Sequence, residues 1–227
     1  MRSRLAIDTN KTAALFIDLQ EEHRQDPRYL VEDFAKILAN VGTLQRAARQ
    51  NAIAVIHSAY IVDAAAENLR PFHPMMADGT SAFSDKGSPL SEICPEVGPV
   101  GDEPVLVKSE ATAFGKGPLA EKLRTAGVEW LFISGVWTEA CIDASVKQAV
   151  DLGFRVILVK DACGSGSAAM HQTGILNLAN RLYGGAVTDT SGAVRLMAGE
   201  TVGVWMVEGS VPLRFSFDDA AELYDAL

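Results

Sequence analysis

Three cysteines and four histidines are all the thiol and imidazole groups in the 227 residues. Cys94, Cys141 and Cys163 are odd in number and lie far apart without metal-type spacing. That excludes a disulfide framework and a cysteine zinc site, and it points to reduced thiols in a cytoplasmic protein. Basic residues are also in short supply. Lys plus Arg number 20 against 29 Asp plus Glu, a formal charge of -9, and no basic cluster offsets it, so a nucleic-acid partner is not expected. No apolar run approaches a membrane span, and MRSRLAIDTNKTAALFIDLQ has no continuous apolar segment of signal-peptide type before charges intervene. Small molecules are therefore the expected partners. The composition is otherwise 48% hydrophobic, enough for one well-buried core, and a single domain over 1–227 is expected, with an extra C-terminal segment over 190–227.

The chain is organised around residues 128–164. VEWLFIS is short and apolar in the manner of a buried strand, and Gly135 closes it. Thr138 offers a hydroxyl as N-cap of a helix whose apolar positions Ile142, Val146, Ala149 and Val150 recur at helical spacing until Gly153. Cys141 falls in the first turn. Free N–H groups and the positive end of the helix dipole there are expected to lower the thiol pKa below its free value of about 8.5. Simple packing of a buried cysteine is the alternative.

The remaining chain alternates strand and helix. TAALFID is a buried strand ending in Asp18, followed by a polar loop and an amphipathic helix to about Gln50. AIAVIH is the second strand and PVLVK, ending in Lys108, the third. The central stretch supplies the fourth, RVILVKD the fifth and GAVTD the sixth, with a helix over 167–183 between the last two. After residue 190, GVWMVEG and PLRFSF read as extra strands and 218–227 as a terminal helix. Residues 58–103 carry no periodicity, and a loop that long is a lid, a pocket wall or a subunit contact. Its His73 and Cys94 have no partners at ligand spacing and are read as structural. The pattern implies a three-layer α/β/α fold around a six-stranded, mainly parallel sheet. Asp18, Lys108 and Cys141 then meet on one rim, where Asp can take a thiol proton and Lys can hold the charge.

The chain resembles the isochorismatase-like cysteine hydrolases from residue 12 to 189. The resemblance rests on Ala14-Leu-Phe-Ile-Asp18-Leu-Gln20, on Val107-Lys108 followed by Thr112-Ala-Phe114, and on Ser134-Gly-Val-Trp-Thr-Glu-Ala-Cys141. It implies a catalytic triad of Asp18, Lys108 and Cys141 and a cis peptide before the cysteine helix. The expected chemistry is hydrolysis of a small amide or ureido compound through a thioester, with ammonia released. Backbone N–H groups of Trp137 and Cys141 would hold the oxyanion. Gln20, His23, Phe114 and Trp137 are the candidate pocket wall, with packing as the alternative for Phe114. The long loop is nearest in feel to that of the N-carbamoylsarcosine amidohydrolase branch. Vinyl-ether hydrolysis and a catalytically silent binding protein are the rival functions. The apolar content of 201–217 predicts packing on its own domain or on a sister subunit, and hence a homo-oligomer, dimer or tetramer.

Nicotinamidases of the family carry an Asp-x-His metal site after the second strand, whereas the corresponding stretch here is His57-Ser-Ala-Tyr-Ile-Val-Asp63. No cofactor and no metal are expected. A chelator should leave turnover unchanged; loss of turnover restored by added zinc would contradict this.

Overall fold

The computed structural model describes residues 2–67 and 69–227. Its centre is a sheet of eight strands, not six: β1 (Arg2–Leu5), β2 (Thr12–Ile17), β3 (Ala54–Tyr60), β4 (Val105–Lys108), β5 (Trp130–Val136), β6 (Arg155–Gly164), β7 (Ala186–Thr188) and β8 (Val202–Trp205). They lie in the order β1-β8-β7-β6-β5-β2-β3-β4. The strands β4-β3-β2-β5-β6-β7 are parallel and are the six that the apolar runs predict. Strand β8 adds antiparallel to β7, and β1 antiparallel to β8. Both additions are short. RSRL is mostly polar and so carries little strand signal, while part of GVWMVEG is indeed a strand and PLRFSF is not.

Seven helices of α type flank the sheet among the described residues: α1 (Glu22–Gln25), α2 (Phe34–Gln50), α3 (Leu119–Thr125), α4 (Asp143–Asp151), α5 (Ala168–Ala179), α6 (Thr190–Met197) and α7 (Ala220–Ala226). Successive strand residues point to opposite faces, so a strand covered on both sides must be apolar throughout. Strand β2 follows this rule: Ala14 and Phe16 join one core with α2 and α6, while Ala13, Leu15 and Ile17 join the other with α3, α4, α5 and α7. Strand β5 divides in the same way, Trp130 and Phe132 from Leu131 and Ile133. The C-terminal segment packs on its own domain, where Leu213, Phe215, Leu223 and Tyr224 lean on the second core and Leu227 is buried.

The chain runs from β2 outward to β3 and β4, then returns to β5 on the other side of β2. That reversal leaves a crevice beyond the carboxyl ends of β2 and β5, the usual ligand position in open α/β sheets. Gly135 makes the close approach of these two strand ends feasible. Its φ is 124°, and a Cβ there would run into the backbone of Ile17. The long segment 61–104 folds back over this edge, with Cys94 N–H donating to Leu19 O and Glu21 N–H to Glu92 O. Of the three readings of that segment, a pocket wall is the one observed, through Phe83 and Ser84.

The edge beside β3 is held by Glu103, whose carboxylate accepts from Arg49 Nε at 2.7 Å, from Val100 N at 2.9 Å and from buried His57 Nε2 at 3.0 Å. The Arg49 guanidinium is the main cause that holds the Glu103 carboxyl down to about 2 from an ordinary 4.5. A folded-state pKa below the unfolded one stabilises the fold above pH 4.5, and the contribution fades as pH falls from 4.5 toward 2. Glu103→Gln should cost about 1–3 kcal/mol at neutral pH, and the wild-type advantage should shrink over that acid window in urea titrations.

Candidate active site

Register brings the chemistry together. Lys108 is the last residue of β4 and pairs across the sheet with Tyr60, while Ile17, just before Asp18, pairs with Ser58 on one side and Gly135 on the other. Asp18 turns sharply out of β2 at φ 52°, a left-handed conformation that costs a non-glycine residue about 1 kcal/mol or more. Its Oδ1 accepts from Ser58 Oγ at 2.7 Å and its Oδ2 from Lys108 Nζ at 2.6 Å. The same ammonium donates to the carbonyls of Glu110 and Ala111 and lies 3.4 Å from Cys141 Sγ. Asp18 and Lys108 are both buried, so each charge is matched within the site.

Cys141 sits in a π-helical turn, Thr138–Ile142, that precedes α4. Trp137 O accepts from both Ala140 N and Ile142 N, the second bond being of i→i+5 type. The peptide between Val136 and Trp137 is cis. Thr138 does not cap the helix. Its buried hydroxyl donates to Gly164 O at 3.0 Å and meets His171 Nδ1 at 2.8 Å, because the turn places it against β6 and α5 instead of solvent.

The thiol expectation also changes. Burial, then the Asp18 carboxylate, pushes the Cys141 thiol up to about 12, and Lys108 only partly offsets this. Sequence reasoning saw the helix start but not the desolvation, which depends on chain segments far away. Burial pulls the Lys108 ammonium down, yet the adjacent Asp18 carboxylate, with the Cys141 sulfur beside it, outweighs this and leaves the pKa raised. The resting site is a neutral thiol against a lysine–aspartate ion pair.

A cavity of about 480 Å³ opens beside the thiol. His23 and Trp137 line it as expected. Gln20 does not: its amide is wholly buried, donating to Tyr60 O and Ser91 O and accepting from Tyr60 N, so it fastens β3 and the long segment to β2. Phe114 is not at the cavity either; it is buried in the second core against Phe154. Tyr29, Tyr60, Phe83 and Glu22 are wall residues that sequence reading missed. Tyr60 ends a strand, and alternation from Ser58 could have flagged it; Phe83 arrives from an aperiodic loop and carries no local signal. His57 and Asp63 are committed to Glu103 and Lys86. The described His, Cys, Asp and Glu residues that cluster at metal-ligand separation are Glu21, Cys94 and Glu96, and the Arg24 guanidinium already joins both of those carboxylates.

The mostly parallel α/β sheet thus carries this cavity at its carboxyl edge, where open α/β sheets bind ligands. The chain belongs to the isochorismatase family, whose Isochorismatase domain matches residues 12–192. It is 30% identical to maleamate amidohydrolase of Pseudomonas putida over 201 residues, 83% of this chain and 89% of that protein. It is 23% identical to ureidoacrylate amidohydrolase of Variovorax paradoxus, with 77% of each chain covered. A cysteine hydrolase structure from Pseudomonas syringae superposes with a TM-score of 0.77 at 20% identity, covering 87% of this chain and 97% of that one, a likeness of fold. No helix among the described residues is long and apolar enough to cross a membrane.

Because the Cys141 thiol titrates near 12, its alkylation by iodoacetamide should rise about tenfold per pH unit from pH 7 to 10 without a plateau. Cys141 should also react before the buried Cys94 and Cys163. A plateau near pH 7 by mass spectrometry would show a depressed thiol pKa instead.

Proposed function

We propose that this chain is a cysteine-dependent amidohydrolase that cleaves a small amide or ureido compound and releases ammonia. The observation that carries the reading is the Lys108 ammonium, 2.6 Å from Asp18 Oδ2 and 3.4 Å from the Sγ of Cys141, which lines the cavity. The amidohydrolase relatives support the bond cleaved. Asp18 takes the Cys141 proton as sulfur attacks the carbonyl carbon, so the thiol need not be ionised beforehand. Lys108 stabilises the sulfur as charge develops on it. The carbonyl π bond opens to an oxyanion, held by backbone N–H groups of Trp137 and Cys141. Collapse breaks the C–N bond, Asp18 returns the proton to nitrogen, and ammonia leaves a thioester. Water, deprotonated by Asp18, adds to that carbonyl; expulsion of sulfur and its reprotonation give the acid and restore the thiol.

Ser58 and Tyr60 act on this machinery from β3. Ser58 fixes one Asp18 oxygen by hydrogen bonding and leaves the other to the lysine. Tyr60 puts its ring 4.8 Å from Lys108 Nζ, a cation–π contact that helps hold the ammonium in a dry site.

Cys141→Ala should lower ammonia release by about 10⁴-fold or more while ligand binding persists. Trp137→Ala leaves the backbone donors in place and should shift KM among substrates far more than kcat. A panel of small amides and ureido acids scored for ammonia tests both; turnover surviving in Cys141→Ala would remove the nucleophile.

A further inference from the structure

Glu22 is a buried carboxylate whose hydrogen bonds come from a neutral residue, Ser84, and not from a basic side chain. It lines the cavity, 4% exposed, and accepts from Ser84 Oγ at 2.6 Å and from Ser84 N at 2.8 Å. Ser84 sits at φ 51°, a left-handed conformation unfavourable for serine, which turns both its donors onto one side chain. Two bonds leave part of the acceptor capacity of a carboxylate open. The cations nearby are committed elsewhere: Arg28 to Asp26 at 2.6 Å and Lys108 to Asp18 at 2.6 Å. His23 lies 3.9 Å away. His23 Nδ1 faces both the donor Trp137 Nε1 at 3.2 Å and the acceptor Tyr29 O at 3.3 Å, and burial holds His23 below its ordinary pKa. A buried carboxylate that neutral groups alone satisfy is costly.

The walls supply the complementary surface. Tyr29, Tyr60, Phe83 and Trp137 line the same cavity, with Phe83 packed edge-on to Tyr29 at 5.6 Å and tilted against Tyr60 at 5.7 Å. Aromatic rings around a carboxylate attract cations, through ring faces and through direct charge. Arg28 also lines the cavity, but its guanidinium is held by the Asp26 carboxylate, so an anion would lose its hydration beside Glu22 and Asp18.

We propose that Glu22 determines specificity, selecting a small amide whose acyl part carries a cationic nitrogen, such as an alkylammonium, and disfavouring carboxylate-bearing amides. This rests on the amidohydrolase reading of the same site. Glu22 at the cavity wall takes the ammonium while the amide carbonyl reaches Cys141. The chain would then differ in substrate charge from its maleamate-hydrolysing relative.

Choline and 3,3-dimethylbutan-1-ol are near-isosteres that differ in charge, and neither contains an amide. Calorimetry on the wild-type chain should find choline bound about tenfold tighter or more, the size expected of a desolvated cation site. Maleamate should bind most weakly to Cys141→Ala, and Glu22→Gln should bring choline and the alcohol to within about twofold of each other. Equal binding of choline and the alcohol to wild type, tightest binding of maleamate, or a choline preference surviving in Glu22→Gln would each overturn the proposal. Should Glu22→Gln fail to fold, the wild-type comparison decides alone. Ammonia release is then compared for betaine amide and its neutral isostere 3,3-dimethylbutanamide. Choline selectivity without ammonia from any amide leaves the cation site and removes the hydrolase reading. Ammonia from both amides at equal kcat/KM, with indifference in the binding assay, does the reverse.

Discussion

The buried ion pair between Lys108 and Asp18 is the constraint around which the carboxyl edge is built. Neither charge could be buried alone, and losing one partner of such a pair costs about 3–5 kcal/mol. The pair spans strands that are not neighbours, since β3 lies between β2 and β4. It therefore works as a strut across three strand ends, with Ser58 from the middle strand as its lateral brace. The left-handed backbone at Asp18 is tolerated because the carboxylate has two partners waiting. Cys141 completes the arrangement from the opposite side of β2, and its sulfur shares the ammonium with two backbone carbonyls.

Under the proposed mechanism, this arrangement suits a thiol that is activated on demand. A permanently ionised thiolate would neutralise Lys108 and leave the Asp18 charge uncompensated in a poorly hydrated site. Keeping the proton on sulfur leaves one cation facing one carboxylate. Proton transfer to Asp18 can then accompany bond formation to carbon, and the ammonium exchanges a carboxylate partner for a sulfur one without net charge being created.

Much of the site could be read from the sequence because its three polar groups each end an apolar run. TAALFI delivers Asp18, VLV delivers Lys108 and WLFISGV leads to Cys141; once the strands are parallel, all three share an edge. Gln20 and Phe114 lie off the cavity because proximity along the chain to a site residue does not set side-chain direction. The Gln20 amide is claimed by backbone from two distant segments, and Phe114 faces Phe154. The thiol pKa was misjudged for a related reason: a helix start is local, whereas burial is the sum of everything packed around it. Strand β1 escaped the count because RSRL is mostly polar, whereas β8 falls in the GVWMVEG stretch that reads as a strand beyond the six. Glu22 and Ser84 are 62 positions apart, and only the folded chain shows that they meet.

The bonds around Thr138 extend beyond the turn. With the Thr138 hydroxyl donating to Gly164 O, His171 must donate through Nδ1, so its Nε2 accepts from Tyr224 Oη at 3.1 Å. Helix α7 is thereby linked through one neutral imidazole to the residue three positions before Cys141. Burial holds His171 down to about 4 against an ordinary 6.5, so its neutral form stabilises the fold above pH 6.5, and that contribution drains away as pH falls toward 4. A protonated ring has no lone pair for the tyrosine. The last helix is thus an acid-labile latch on the Thr138–Ile142 turn, one that loosens at milder acidity than the Glu103 clamp beside β3.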